Sequence, residues 1–273
     1  MTRPLTAAEI DTYRATGYLG GLAVLGADEV AQARRHAEQL VARMGGAPRP
    51  ADMLQPHLHF RWAFDLATHP AVLAAVESLL GPDLLVHSSS LFYKPPRSPS
   101  SVAWHQDGSY WRLSRPVVAS AWIALTESTR ASGCMRVLPG SHAAGALPYT
   151  DGAAAPEDLL TSGLRTRASV DEESARPVEL RAGEMSLHHV DLLHASAPNA
   201  SPAPRIGLAV RYVPPSVSQQ LPHHDVVLAR GRDEHGHYTL RREPPGADFE
   251  DGLARQREFT DHWRAFRSTA KRG

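Results

Sequence analysis

Apolar side chains recur at helical spacing in the first third of the chain, and they predict helices there. Thr6 and Glu9 have the spacing of a capping box, which predicts a short helix ending near Gly17. Between residues 27 and 44 the apolar positions repeat every three or four residues, and two glycines follow. Residues 70–80 show the same period, with proline in the first turn and glycine after the end. The N-terminal part, residues 1–82, is therefore predicted to be helical.

From residue 84 onward apolar residues tend to alternate with polar ones, which is the period of a β-strand. Short runs of this kind, separated by turn residues, cover residues 84–94, 102–105, 117–125, 134–138, 178–181, 185–190, 192–195 and 206–213. Helices that precede the strands, rather than alternating with them, argue against a doubly wound α/β fold. The pattern predicts a mainly β protein: a double-stranded β-helix (the cupin-like jelly roll) with N-terminal and flanking helices.

The chain is predicted to be one domain of 273 residues, because barrels of this length are commonly single units. Residues 83–214 form the predicted jelly-roll core, and residues 215–273 form a C-terminal extension with a helix over 249–268. The segment 143–177 interrupts the strands and is rich in alanine, glycine and serine. Because compact domains contain few long segments without structure, we predict that it is a lid.

Composition and charge argue against several classes of function. Lysine plus arginine equals aspartate plus glutamate at 29 each, so bulk charge gives no support for binding nucleic acid or an acidic membrane. No apolar run is long enough to span a bilayer, and a cytoplasmic location is expected. Cys134 lies in an apolar run and is predicted to be buried rather than nucleophilic. The 15 histidines favour metal chemistry.

The stretch 104–108, Trp-His-Gln-Asp-Gly, carries the strongest indication of chemistry. On a strand, His105 and Asp107 point to the same face and can share one metal ion. His194, 87 positions after Asp107, is the best candidate for a third ligand. Two histidines and a carboxylate that leave the other coordination positions open form the facial triad of non-haem Fe(II) oxygenases. Arg205 follows eleven positions after His194, and its rigid fork suits the carboxylate of a co-substrate.

Two further features leave alternatives open. Arg211 lies six residues beyond Arg205 on the same face of the predicted strand, and it is the second-ranked candidate for the co-substrate carboxylate. Of His188 and His189, strand alternation directs one inward. The inward histidine either has a role beside the metal or substrate, or simply packs in the core. A metal ligand from this pair also stays open as an alternative to His194.

Two aromatic-rich stretches have two interpretations each. The segment 55–62 contains His57, His59 and Arg61. It is either a loop that packs on the core or a rim of the active site near substrate or co-substrate. Tyr110 and Trp111 follow the metal motif closely, and they either wall the substrate pocket or belong to the core of the sheet.

The order and spacing of these motifs resemble the phytanoyl-CoA dioxygenase family of Fe(II)- and 2-oxoglutarate-dependent oxygenases. The resemblance runs from about Tyr18 to Pro214 and includes His-Gln-Asp at 105–107, Gly-Ser-His at 140–142, the run 194–199 and Arg205. It implies that His105, Asp107 and His194 hold Fe(II), and that Arg205 binds the far carboxylate of 2-oxoglutarate. The other residues that it implies for the co-substrate site are Ser196, Gln106, Trp122 and, although the residue type differs, Ser90.

The resemblance implies a dioxygenase that uses O2 to hydroxylate an unactivated C–H bond of a small molecule, with release of succinate and CO2. Related halogenases carry Gly or Ala at the position of Asp107, so this carboxylate implies oxygenation rather than halogenation. Relatives act on acyl thioesters, amino acids and small natural products. Because the sequence has no basic patch suited to CoA, we expect a free small-molecule substrate, and a role in secondary metabolism fits. A monomer and a homodimer are both open.

Two rival functions use the same residues differently. A non-oxidative cupin-like metalloenzyme or isomerase would bind metal at His105, Asp107 and His194 but would neither consume 2-oxoglutarate nor form succinate. For a non-catalytic jelly-roll binding module, these ligands together with Arg205 and Ser196 would be coincidences. Within the oxygenase interpretation, desaturation, epoxidation and ring closure are alternative outcomes, because they depend on how the substrate is placed.

Overall fold

The computed structural model describes residues 3–46, 48–111, 113–150, 155, 157–160, 163–219, 225–241 and 245–270. The α-helices in these residues are α1 (Ala7–Thr16), α2 (Ala27–Arg43), α3 (Pro56–His59), α4 (Arg61–Ala67), α5 (Pro70–Leu80), α6 (Gly108–Trp111) and α7 (Phe249–Ala270). Two short 3-10 helices cover Pro50–Met53 and Ser141–Ala144. The strands are β1 (Tyr18–Ala23), β2 (Leu84–Lys94), β3 (Val102–His105), β4 (Ala119–Ala124), β5 (Met135–Val137), β6 (Tyr149–Thr150), β7 (Arg165–Thr166), β8 (Arg176–Val178), β9 (Glu184–His189), β10 (His194–Ser196), β11 (Arg205–Val213), β12 (Val226–Arg230) and β13 (Leu240–Arg241).

Two facing sheets form the body of the protein. The major sheet has the strand order β1-β9-β4-β11-β2-β12-β13, and the minor sheet has the order β3-β10-β5-β8. Neighbouring strands in both sheets run antiparallel, except for the parallel pair β12 and β13. One cavity is lined by residues of both sheets, so their inner faces enclose a shared interior. This arrangement confirms the predicted jelly-roll class.

Strand β11 shows how the sequence separates the core from the site. All nine residues of β11 are buried, and successive side chains point to opposite faces of the sheet. Ile206, Leu208 and Val210 belong to the apolar cluster that packs the helices onto the outer face. Each such side chain contributes about 1.5–3 kcal/mol on burial. Arg205 and Arg211, on the other face, line the internal cavity.

Helices α4 and α5 contribute to that outer core, and every residue of α5 from Ala71 to Val76 is buried. In the part of the chain that the structure describes, no single helix is long and apolar enough to cross a membrane. Helices α4 and α5, taken together across a bend of 42°, pass the same test by length and composition.

Several elements lie where the sequence pattern predicted something else. Strand β1 falls in the segment predicted to be helical, and it extends the major sheet by pairing with β9. Residues 55–62 form α3 and the start of α4 instead of a loop, with Gln55 in a left-handed conformation before Pro56. Strands β12 and β13 lie in the predicted C-terminal extension and also join the major sheet.

The described parts of the segment 143–177 run along the edge of the minor sheet. Strands β6 and β7 pair with each other. The Ser101 N–H donates to the Glu157 carbonyl, and the Leu159 N–H donates to the Ser101 carbonyl, each at 2.9 Å. Glu172 accepts hydrogen bonds from Trp104 Nε1 at 3.2 Å and from Arg136 at 2.5 Å. The segment is thus tied to β3 and β5, and its role as a lid stays a prediction.

Candidate metal and co-substrate site

The two candidate histidine ligands are direct neighbours across two strands. His105 ends β3 and His194 begins β10, and the two residues are paired in the antiparallel register. Their ring centroids are 4.1 Å apart. Asp107 lies beyond the end of β3, so strand alternation does not place it as the sequence suggested. A turn brings its Oδ1 to 3.6 Å from His105 Nε2, and the Gly108 N–H fixes this turn by donating to the Val190 carbonyl.

Both imidazoles keep the same ring nitrogen available for a metal. His105 Nδ1 lies 2.9 Å from the Ala103 carbonyl, and His194 Nδ1 lies 2.9 Å from the Leu192 carbonyl. A carbonyl oxygen only accepts, so each Nδ1 carries the proton and each Nε2 keeps its lone pair. Metal-binding histidines are usually oriented in this way. One ligand atom each from His105, Asp107 and His194 lie within 4.8 Å of one another.

The protonation states of these buried groups also suit a divalent metal. Burial, with His105 and His188, holds the pKa of His194 well below its usual range. Burial alone would raise the pKa of Asp107, but Arg211 and the neighbouring histidines outweigh it and hold this pKa well below its usual range. A neutral imidazole and an ionised carboxylate are the forms that bind metal. The three residues therefore fit a metal of the Fe(II) type.

The second oxygen of Asp107 faces the major sheet. Ser120 Oγ donates to Oδ2 at 3.2 Å. Arg211 Nε lies 3.6 Å and His188 Nε2 lies 3.8 Å from the same oxygen. Arg211 is paired with Ser120, and Ser120 is paired with His188, on the adjacent strands β11, β4 and β9. One polar row across the sheet thus approaches the carboxylate from the side opposite His105.

His188 is the inward member of the histidine pair. It is buried, and it lines the cavity beside His194. His189 lies on the other face of β9, where its Nδ1 accepts a hydrogen bond from the Asp191 N–H and its ring packs 5.2 Å from His142. Burial lowers the pKa of His189 to about 4.

A cavity opens beside the two candidate histidine ligands, His105 and His194. Its middle wall is apolar, and cationic side chains lie towards its two ends. The lining residues are Phe92, Val102, His105, Trp122, Met135, His188, His194, Ala195, Ser196, Arg205, Ala209 and Arg211. Such a cavity can accept a small polar molecule next to a bound metal.

Two buried cations meet at the end of the cavity away from Asp107. The Gly133 carbonyl accepts hydrogen bonds from Arg205 at 2.6 Å and from Lys94 Nζ at 3.2 Å. Lys94 Nζ also donates to Ser196 Oγ at 2.8 Å and to the Ala197 carbonyl. Among the described residues, neither cation forms an ion pair with a carboxylate. Burial of charge without a counter-ion is costly, and together with Arg205 it lowers the pKa of Lys94 to about 6. This end of the cavity is therefore suited to an anion, which favours the charged forms of both side chains.

Trp122 forms the wall next to Arg205. The Arg205 guanidinium carbon lies 5.1 Å from the centre of the Trp122 ring. The ring occupies the space above Gly207, where a Cβ atom would come within 2.1 Å of the indole. Glycine at this position therefore allows the indole to approach the backbone of β11 closely.

Some predicted co-substrate and substrate residues lie away from the cavity. The amide of Gln106 binds backbone instead: it donates to the carbonyls of Gly145 and Asp191 and accepts from the Leu147 N–H. Ser90 does not line the cavity, but its Oγ accepts a hydrogen bond from Arg211 at 3.0 Å.

The predicted rim residues lie on the outer face of the major sheet or beyond it. His57 Nδ1 is 2.7 Å from Ser89 Oγ, and Ser89 points away from the cavity because its neighbour Ser90 contacts Arg211. His59 packs against Phe259 of α7. Their placement follows from α3, which turns these side chains into the outer core.

The remaining predicted substrate residues are Arg61, Trp111 and Tyr110. Arg61 forms an exposed ion pair with Asp65 along α4, away from the cavity. Trp111 packs against Arg211 and belongs to the apolar cluster that closes this end of the barrel. The side chain of Tyr110 lies outside the described part of the chain.

Lys94, like Ser120, is a site residue that sequence reasoning missed. It ends β2, is paired with Arg205, and is fully buried. The alternation of β2 gave a signal, because Lys94 shares a face with Ser90 and Phe92. A lysine on the inward face of a buried strand requires a partner for its charge.

Comparison with known proteins gives consistent matches. The family model described as phytanoyl-CoA dioxygenase (PhyH) matches residues 13–207. The chain is 28% identical over 225 residues to an ectoine dioxygenase of Streptomyces avermitilis, covering 74% of this chain and 76% of that protein. It is similar to ThoJ, a non-heme monooxygenase, with 33% identity, a TM-score of 0.77 and coverage of 93% and 97% of the two chains. CytC3 with Fe(II) and alpha-ketoglutarate has the same fold, with 22% identity, a TM-score of 0.64 and coverage of 91% and 97%.

Proposed function

Because the chain belongs to the phytanoyl-CoA dioxygenase (PhyH) family, we propose that it hydroxylates an unactivated C–H bond of a small molecule. The chain is an Fe(II)- and 2-oxoglutarate-dependent dioxygenase. Its family, its similarity to named dioxygenases and its His-Asp-His cluster all support this activity. The observation that carries the proposal is the combination, in one cavity, of three metal-binding side chains and a buried cationic end.

His105, Asp107 and His194 would hold Fe(II). When bound with 2-oxoglutarate and O2, the metal supplies the oxidative decarboxylation that releases CO2 and succinate and the oxidising power that hydroxylates the substrate. The Ala103 and Leu192 carbonyls hold both imidazoles in the orientation that leaves Nε2 free for the metal. Ser120 holds the second oxygen of the carboxylate.

Arg205, Lys94 and Ser196 would bind the distal carboxylate of 2-oxoglutarate. A carboxylate there would balance the charge of Arg205, favour the protonated form of Lys94, and replace the Gly133 carbonyl as the partner of the Arg205 fork. Trp122 would hold the carbon chain of the co-substrate against β11.

The same cationic end argues against a non-oxidative metalloenzyme, because such an enzyme has no use for a dicarboxylate site. We infer oxygenation rather than halogenation, since Asp107 takes the place that a halide would need. We also infer a free small-molecule substrate. A cytoplasmic location and a monomeric or homodimeric state stay predictions from the sequence.

The test is an anaerobic titration of the metal-free protein with Fe(II) and 2-oxoglutarate. We expect the weak visible charge-transfer absorption of a metal-bound 2-oxo acid in the wild type, and a weaker affinity for 2-oxoglutarate in Arg205→Ala. In air, Asp107→Ala should form no succinate, because the metal loses a ligand. Metal binding without the absorption band would support a non-oxidative metalloenzyme, and undiminished turnover in Asp107→Ala would refute the assignment of the metal ligands.

A further inference from the structure

Two buried arginines of β11 face the same cavity from opposite ends. Arg205 and Arg211 are six residues apart, so they lie on one face of the strand, with about 20 Å of backbone between them. Both line the cavity. They were ranked above as rivals for one carboxylate, but their separation indicates two different partners.

Both side chains lean towards the middle of the strand. Arg205 lies over the ring of Trp122, with 5.1 Å from its guanidinium carbon to the ring centre. Arg211 donates to Ser90 Oγ at 3.0 Å. Trp122 and Ser90 are the residues paired with Ala209 on the two neighbouring strands. The two guanidinium groups therefore approach each other from the two sides of Ala209.

The wall between the two cations is apolar, formed by Phe92, Trp122, Met135 and Ala209. A cation at each end and an apolar middle match a short dicarboxylate, whose two charged groups are joined by a hydrocarbon chain. 2-Oxoglutarate has this form.

Arg211 marks the metal end of this arrangement. Its Nε lies 3.6 Å from Asp107 Oδ2, whereas Arg205 donates to the Gly133 carbonyl at the other end. Once Asp107 binds a divalent cation, its negative charge is shared with the metal. The Arg211 guanidinium can then balance a second carboxylate close to the same metal.

We propose that Arg211 binds the carboxylate next to the keto group of 2-oxoglutarate, while Arg205 and Lys94 bind the distal one. This inference rests on the proposed function and extends it to the orientation of the co-substrate. Arg211 would orient the keto acid end of 2-oxoglutarate beside the metal-binding side chains.

The test compares 2-oxoglutarate with 2-oxobutanoate, which keeps the keto acid end but lacks the distal carboxylate. Both are titrated anaerobically against protein saturated with Fe(II), and binding is followed by the charge-transfer absorption. In Arg205→Met we expect the affinity for 2-oxoglutarate to fall at least about 30-fold, with the affinity for 2-oxobutanoate unchanged. In Arg211→Met we expect both affinities to fall by a similar factor, because both ligands carry the contacted carboxylate.

Unchanged affinity of Arg211→Met for both ligands, or a loss confined to 2-oxoglutarate, would overturn the inference. A separate Fe(II) titration without 2-oxo acid measures the affinity for the metal. If Arg211→Met lowers only this metal affinity, Arg211 acts on Asp107 alone and the inference is overturned. Arg211→Lys keeps the charge and replaces the Met variant in the test if that variant does not fold. It should lower the affinity for both ligands, but by a smaller factor than Arg211→Met. Absence of the band in the wild type with both ligands would refute the proposed function and this inference with it.

Discussion

Lys94 is a buried cation whose charge depends on what occupies the cavity. Two carbonyls and Ser196 accept hydrogen bonds from its Nζ, which favours the ammonium form. Burial, together with Arg205, opposes that form and lowers the pKa of Lys94 to about 6. A bound dianion neutralises Arg205 and favours the charged lysine, so it raises this pKa again. At pH 8 the binding of 2-oxoglutarate should therefore take up as much as about one proton per chain.

Calorimetry of 2-oxoglutarate binding at pH 8, in two buffers of different ionisation enthalpy, measures this proton uptake. The uptake should decrease as the pH falls through 6 and vanish well below it, because Lys94 is then charged before the ligand binds. Lys94→Met should lose the uptake at pH 8 and bind 2-oxoglutarate more weakly. An equal uptake in wild type and Lys94→Met would assign the proton to another group.

The residues of the site differ in how far the sequence reveals them. His105, Asp107 and His194 are visible from residue type and spacing, and the structure brings their ligand atoms together. The contact between the two histidines depends on the pairing of β10 with β3, and no local pattern specifies such a long-range register. Gln106 fits the motif equally well, yet its side-chain amide forms hydrogen bonds with backbone groups and does not line the cavity. Whether a polar side chain reaches the cavity depends on such competition, which spacing alone does not decide.

Strands β11 and β4 together form one wall of the co-substrate cavity, in which the Trp122 ring of β4 packs against Gly207 of β11. A Cβ atom on Gly207 would lie 2.1 Å from the Trp122 ring, so the ring would have to move away from the strand. We expect Gly207→Ala to displace Trp122 and to weaken 2-oxoglutarate binding about tenfold or more, a cost of at least about 1.4 kcal/mol. Anaerobic titration by charge-transfer absorption measures this affinity.

A matched control exists on β1. Gly20 is exposed, and a Cβ atom there would make only an ordinary contact at 3.4 Å with Val178. Gly20→Ala should bind 2-oxoglutarate as the wild type does. If Gly207→Ala also binds normally, Trp122 is not required in its present position for the co-substrate.

Glu172 connects the segment 143–177 to the minor sheet. It accepts hydrogen bonds from Trp104 on β3 and Arg136 on β5, and Arg136 also lies over the Trp104 ring at 5.3 Å. We expect Glu172→Ala to increase the rate of limited proteolysis within 143–177 several-fold, with a change in the global free energy of unfolding of at most about 1 kcal/mol, because the contact is exposed. Glu173→Ala, a change at the exposed neighbouring position, should be cleaved within 143–177 at the same rate as the wild type. Equal cleavage of both variants would show that this contact does not hold the segment.

The elements themselves were predictable where the pattern is long. Helix α5 and strand β2 have the bounds that their periodicity predicts. Strand β1 was missed because two glycines in six residues interrupt its alternation, and α3 was missed because four residues are too few to show a helical period. The elements that the sequence did not predict matter for function. Helix α3 turns His57 and His59 away from the cavity, whereas a loop could have brought them closer to it.

The whole molecule carries several histidines that fold in the neutral form, and this makes its stability sensitive to acid. Burial, with Arg241 and Arg255, lowers the pKa of His59 from 6.5 to about 3, and burial lowers the pKa of His189 to about 4. Below pH 6.5 the unfolded chain takes up protons at these positions and the folded chain does not. The free energy of unfolding should thus fall as the pH drops from 6.5 to about 4, by up to about 1.4 kcal/mol per pH unit for each such histidine.

Denaturant unfolding of the metal-free protein between pH 7 and pH 4 measures this slope; metal is left out because it competes with protons at His194. His59→Phe should make the slope shallower, because His59 has no hydrogen-bond partner among the described residues and phenylalanine does not titrate. It can also keep the ring contact with Phe259. His235→Gln, at an exposed position, should leave the slope as it is in the wild type. If His59→Phe and wild type lose stability in parallel, the acid sensitivity arises elsewhere, and His59 is protonated or solvated in the folded protein.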